Sequence, residues 1–482
     1  MNRRRFALSL PVLGLSRAEA QVTPNAVQFT PEIEPLVREI EAMPREKSAE
    51  WLAARIRAGK PHRESLSAVF LAGIRNVNPR PPGFALHCVF LGHAAQELSV
   101  RAPADVRALP LFYVLDDFKS AQARDAAAKP GDYTMRALKP SKASASDLPA
   151  AMDAWDLERA EHAAAALARS GTKPATVFEQ FWKYGARDYR NIGHKAIFAA
   201  NACRTLETIG WQHAEPVLRS LVLGLLDFER NLSMNGYALD DQCFAANEKL
   251  ARGWPAADGN LGMAELLTAM RSASVSDLCA ETARRLNAGS LSAAGVWDAV
   301  HLFAAELRLR STGANVIAGI HAVTAANGLH TAWRRAASPR LRGLLLLQAV
   351  GWMAQFQTFA ASRAELLSAA SLKDLQPIAG TVDEALAAIA ANPVEATARM
   401  LPLAVLPQLR SQLVDGLLRY AITRADEVHY YKYLVSILET EALVSPAIRP
   451  AILAHAALYA KGPSSTEPAW AQRARAALSP RG

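Results

Sequence analysis

A chain of 482 residues has room for a large core and for more than one lobe, so size does not limit its stability. Hydrophobic residues make up 51% and aromatics 7%, with many alanines and leucines and few alternating β-branched runs, which predicts an all-α fold without a substantial sheet. The formal charge is +9, of which residues 1–20 carry +3 through four arginines and one glutamate. No run of five or six Lys/Arg interleaved with aromatics occurs, which excludes nucleic acid as the expected partner. Cys88, Cys203, Cys243 and Cys279 lie far apart with no CxxC pair, which excludes a zinc knuckle and argues against a disulfide framework.

Residues 1–20, MNRRRFALSLPVLGLSRAEA, read as an export leader: a basic start, an apolar stretch over residues 6–15 and the small-residue site Ala18-Glu19-Ala20. The stretch is shorter than the roughly 20 residues that span a bilayer. Arg3-Arg4-Arg5-Phe6 follows the twin-arginine pattern, so the leader predicts a protein that folds before export to the periplasm or beyond, with Gln21 first in the mature chain. Residues 21–118 form an N-terminal helical portion with a break at 79–82. It contains FALHCVFLGHAAQEL, where His87 and His93 stand about 120° apart round a helix and do not chelate as a pair. Each is expected to be a satisfied core histidine. Residues 119–150, with KPGD and KPSKASASD, predict a loop-rich excursion before a main helical body over residues 151–482.

Within that body helices are predicted over 152–170, 175–189, 194–208 and 214–230, with stops at Gly171 and Gly210. Short connections suggest antiparallel helix pairs, and the lack of a fixed period makes an irregular array the expected arrangement. LRGLLLLQAVGWMAQF carries Arg342, Gln348 and Gln355, which places it in a protein core and leaves no integral membrane segment after leader removal.

Three stretches hold candidate site residues. In NIGHKAIFAANACRTLETIG, His194, Asn201 and Thr205 recur at steps of seven and four and form an inward polar stripe, with Arg204 and Glu207 facing solvent. In NVIAGIHAVTAANGLHTAW, His321, Thr324 and Gly328 share one stripe while His330 points the opposite way. A glycine costs about 1 kcal/mol in a helix interior, so Gly328 predicts a close approach by a neighbouring helix or a bound molecule. In ADEVHYYKYLVSILE, His429, Tyr433 and Ser436 share a face bordered by Lys432, whose like charge favours a neutral imidazole. The bland alternatives are satisfied core histidines and a lysine that snorkels to water.

Taken in chain order, GHKAIFAANACRTLE, IHAVTAANGLHTAW and DEVHYYKY resemble the three histidine-bearing blocks of the questin oxidase-like family, an all-helical group linked to oxidative ring cleavage of polycyclic aromatic ketones. His321, Val323, Thr324 and Ala325 match its H-x-V-T-A core, and Asp426, His429 and Lys432 stand in the expected relation. The first block departs, with Lys195 and Phe198 where the family often has a proline and a second histidine. The resemblance covers residues 170–440. It implies His194, His321, Thr324, His429 and Lys432 as pocket residues of an oxygenase that uses molecular oxygen and a reductant such as NADPH.

No G-x-G-x-x-G follows a strand, so no Rossmann site is expected and the cofactor stays unassigned. The leading expectation is an exported oxidoreductase without a metal, acting on a small apolar or aromatic substrate, in which a neutral histidine takes a phenolic proton. The alternative is a non-catalytic helical binding or scaffold protein in the periplasm. A histidine-ligated metal oxygenase ranks below both, because it requires the separated histidines to converge, with a carboxylate such as Asp298 near His301.

Overall fold

In the computed structural model, which describes residues 25–128, 133–227, 237–255, 259–361 and 371–479, the chain folds into an irregular array of 22 α-helices. The fold is all-α: no strand occurs among the described residues, and Ala26 and Arg136 form an isolated antiparallel bridge. Residues 1–20, expected from the sequence to be an export leader, lie outside the described residues.

Local signals explain many helix limits. Asp156, Ser292 and Asn392 each accept a hydrogen bond from the backbone N–H three residues on, which satisfies a donor the helix start leaves free. Two expectations change in detail. The helix expected over 152–170 is broken at Trp155, whose φ of 56° ends one helix (Leu148–Asp153) before the next (Leu157–Arg169) begins. The loop expected from residue 119 starts later, because the Leu109–Ala127 helix runs through Lys119. The Lys119 ammonium donates to the carbonyls of Ile40 and Glu41, both at 3.0 Å, which anchors that turn in the fold.

One continuous apolar core runs from Val27 to Ala474. At its centre lies the Val316–Arg335 helix, packed against the helices Ala293–Arg310, Pro339–Ala361, His194–Ile209 and His429–Leu443. The His87–Arg101 helix packs in turn on His194–Ile209, Leu109–Ala127 and His429–Leu443. Gly328 is where the central helix meets its neighbour: a Cβ there would stand 3.1 Å from the Ala196 carbonyl oxygen. The close approach read from the sequence is therefore that of a helix and not of a bound molecule. Pro339–Ala361 is long and apolar enough to cross a membrane, but 78% of its most apolar window is buried in the protein, as expected of a core helix.

Gly328→Val should lower stability by about 1–3 kcal/mol, since the added methyls meet backbone that cannot rotate away. A denaturation midpoint equal to the parent's would show that these two helices separate freely.

Candidate functional site

Three of the helices around this centre begin with a histidine. His87, His194 and His429 are each the first residue of their helix, and His321 lies in the second turn of the central one. Packing brings all four rings together: centroids lie 5.3 Å apart for His87–His194, 4.5 Å for His194–His321, 5.0 Å for His321–His429 and 4.8 Å for His87–His429. The His194 Nε2 is 3.1 Å from that of His87 and 3.0 Å from that of His321. Ligand atoms of His87, His321 and His429 all lie within 4.8 Å of one another.

The outer nitrogens define the chemistry of the inner ones. His194 Nδ1–H donates to the Asn191 carbonyl and His321 Nδ1–H to the Ile317 carbonyl, both at 2.7 Å. His429 Nδ1–H donates to the Glu427 carboxylate at 2.6 Å. A neutral imidazole has one N–H, so in each of these rings Nε2 carries a lone pair. The His194 and His321 lone pairs thus face each other at hydrogen-bond distance without a proton between them, and the buried His429 Nε2 has no protein partner. Two nitrogens about 2.1 Å from one ion and at a right angle to each other lie about 3.0 Å apart, so the spacing suits ligands of a single cation. Outer N–H groups held by carbonyls and a carboxylate are also what orients histidine ligands.

The turn before His194 is built to aim it. Asn191, Ile192 and Gly193 take φ values of 59°, 48° and 81°, a left-handed run that is costly for isoleucine. Buried Lys195 holds Asp188 at 3.1 Å and donates to the Asp227 carbonyl at 2.8 Å, and Asn191 donates to Asp227 at 2.6 Å. Gly83 lies against the ring itself, since a Cβ there would stand 2.9 Å from His194 Cε1. Behind the cluster, Glu439 accepts from Arg204 and pairs with His93, both at 2.6 Å.

Burial holds His87, His194 and His321 far below the ordinary histidine pKa, and Lys432 pushes the same way. The positive ends of three helices add to that effect at His87, His194 and His429. Burial also lowers the Lys432 pKa to about 7, and its amine has no hydrogen-bond partner. At Glu427 burial works to raise the pKa, but the bonds from His429 and from the Tyr459 hydroxyl (2.8 Å) outweigh it and keep the group anionic.

A cavity of about 710 Å³ reaches the cluster at His87 and His429. Its walls come from the Leu109–Ala127 helix, the turn before His429, the Ala469–Leu478 helix and the Arg45–Glu46 turn, and half of the lining residues are charged, with Tyr113 and Trp470 as an aromatic patch. A separate space of about 20 Å³, enough for one water, lies between Lys432, Thr324, Asn201 and Arg204.

The candidate residues thus divide. His194, His321, His429 and Lys432 come together. The Thr324 hydroxyl is spent inside its own helix on the Ile320 and His321 carbonyls at 3.2 and 3.4 Å, so it borders the small space and not the large cavity. Asn201 donates to the Phe90 carbonyl at 3.2 Å and accepts from Arg204 at 2.7 Å. Thr205 is buried beside Gly92. Gly328 contacts a helix, and Tyr433 donates to the His455 carbonyl at 3.2 Å, away from the cluster.

Several readings are corrected. His87 belongs to the cluster and is not a lone core histidine. Arg204 is buried, because Glu439 and Asn201 supply the partners that water would otherwise provide. Lys432 does not snorkel but is 3% exposed. Asp426 pairs with Lys461 at the surface, so Glu427 is the carboxylate on His429. His301 and His330 form a separate pair at 2.9 Å, with His330 stacked on Trp297, and Asp298 accepts from the Ser445 backbone.

Comparison with protein-family models, with curated proteins and with solved structures returns no match.

The four-histidine centre has a pH signature. His87, His194 and His321 are neutral in the folded protein but protonate below about pH 6.5 when unfolded, so the unfolded state gains protons the native state refuses. Above that pH both states are neutral and the groups cost nothing; as pH falls below it the unfolded state is favoured progressively. The melting temperature at pH 5 should therefore lie well below that at pH 7.5, and equal values would contradict neutral, buried imidazoles.

Proposed function

We propose that this chain is an exported, metal-dependent oxidoreductase whose four imidazoles bind a first-row divalent ion and whose cavity admits a polar aromatic or ketone substrate for oxidation by O2. The observation that carries the reading is the convergence of His87, His194, His321 and His429, with the Nε2 lone pairs of the last three turned inward. The expectation of a metal-free centre gives way here to the lower-ranked histidine-ligated reading, and the carboxylate of that reading is Glu427 behind His429, not Asp298. The questin oxidase-like resemblance supports the same class of chemistry through three of the four histidines. A scaffold protein has no use for four converging buried imidazoles, whose desolvation costs stability without a bound group to offset it.

The donor set is neutral nitrogen, which suits late first-row ions more than Mg²⁺ or Ca²⁺. Bound there, such an ion would supply Lewis acidity and one-electron chemistry at the cavity's inner end. The protein's own part is separable. Glu427 and the two carbonyls hold the rings in one tautomer, and Tyr459 fixes Glu427. Neutral ligands leave the positive charge uncompensated, which favours an anionic oxygen of the substrate. Lys432, with a pKa of about 7, holds or releases a proton beside the cluster near neutral pH.

Elemental analysis of the purified protein should find about one equivalent of iron, manganese, copper or another first-row ion, and incubation with hydroxylated anthraquinones or anthrones under air should consume oxygen, with NADPH tested as reductant. His321→Ala should abolish stoichiometric metal and lower turnover at least about 10²-fold. Glu427→Gln should weaken metal binding about 10- to 100-fold with little change in fold. A metal-free parent that turns over substrate, or full activity in His321→Ala, would refute the assignment.

A further inference from the structure

Asp116 and Asp117 are neighbours on the Leu109–Ala127 helix and both line the large cavity, yet their surroundings differ. Asp116 is fully engaged: Arg45 grips both its oxygens at 3.0 and 2.6 Å, and Arg473 adds a third bond at 2.7 Å. Asp117 has no such partner. Its nearest cation, Arg124, stands 4.0 Å from Oδ1 and is itself bonded to Ser120. Oδ2 is sealed from water with no hydrogen bond at all, and the side chain as a whole is 12% exposed.

A carboxylate in this state costs stability, because it has lost water without gaining donors. Burial accordingly raises its pKa to about 6, with Arg124, Lys432 and Arg45 opposing the shift and Asp116 adding to it. Asp117 lines the same cavity that His87 and His429 border, and the part of its side chain that stays exposed, rather than the sealed Oδ2, is what a molecule in that cavity meets. Tyr113 and Trp470, with ring centroids 4.9 Å apart, supply an apolar surface in that wall. Flat rings and an unpaired carboxylate together fit a flat molecule that carries a hydroxyl.

We propose that Asp117 is the specificity-determining residue of this cavity and accepts a hydrogen bond from a hydroxyl of an aromatic substrate. The assignment rests on the oxidoreductase reading for the identity of the site, but it is tested without turnover. Asp117→Asn keeps the shape and removes the charge; Asp117→Leu keeps the branched outline, at larger volume, and removes the acceptor.

Two measurements decide it. Melting at pH 8 should be as high in Asp117→Asn as in the parent or higher, since an unpaired buried charge is gone; a lower value would make Asp117 a structural partner of Arg124 and overturn the proposal. Calorimetric titration should show that the parent binds 1,8-dihydroxyanthraquinone at least about tenfold more tightly than its dimethyl ether, the weight of one hydrogen bond to a charged group. That preference should shrink in Asp117→Asn and vanish in Asp117→Leu. If the parent and Asp117→Leu bind the dihydroxy compound equally, the assignment falls while metal content and oxygen uptake leave the oxidoreductase reading intact. If the parent binds neither compound, the assignment and the hydroxyarene substrate fall together.

Discussion

Four imidazoles placed at the meeting point of four helices, all kept neutral, form the constraint on which the rest of this structure depends. Protonation would put like charges about 5 Å apart in a dry interior, and neutrality leaves the His194 lone pair aimed at that of His321. Neither state is self-satisfied. The surroundings nevertheless enforce the second: carbonyls and Glu427 hold the outer N–H groups, helix starts repel added positive charge, and Lys432 sits alongside. A fold arranged only for stability would have replaced these rings with aliphatic side chains of similar volume.

The cost is carried by a second layer of buried polar groups. Asp188, Lys195, Asn191 and Asp227 bind one another beneath the left-handed turn that presents His194. On the other side Arg204, Glu439 and His93 do the same between the helices that carry His194, His429 and His87. Breaking either network exposes an uncompensated charge in the core, so each fixes one relative placement of its helices.

The sequence made the helical class plain, because composition and the 3.6-residue pattern act over long stretches. It also gave His194, His321 and His429 as candidates. It did not give His87, because the pattern of one helix compares it only with His93, about 120° away, and which rings the neighbouring helices bring is set by packing. The shared position of His87, His194 and His429 at helix beginnings is the signal that would have grouped them. Stripe reasoning also cannot tell which neighbour a face meets, which is why Thr205, Tyr433 and Gly328 were grouped with the site but pack elsewhere. Lys195 and Arg204 illustrate the converse: each is a charged residue that only tertiary partners could make internal.

The network behind the site joins His93 to Glu439, 346 residues later, and the cavity is walled at one side by Trp470 and Arg473. Closing so long a loop is favourable only after much of the intervening core has formed, so the centre is among the last parts of the molecule to take shape. The histidine cluster is incomplete until residue 429 of 482 has been made. An ion bound at the proposed site would therefore enter a nearly finished protein, so the element it carries would be set by the ion supply where the chain completes its fold.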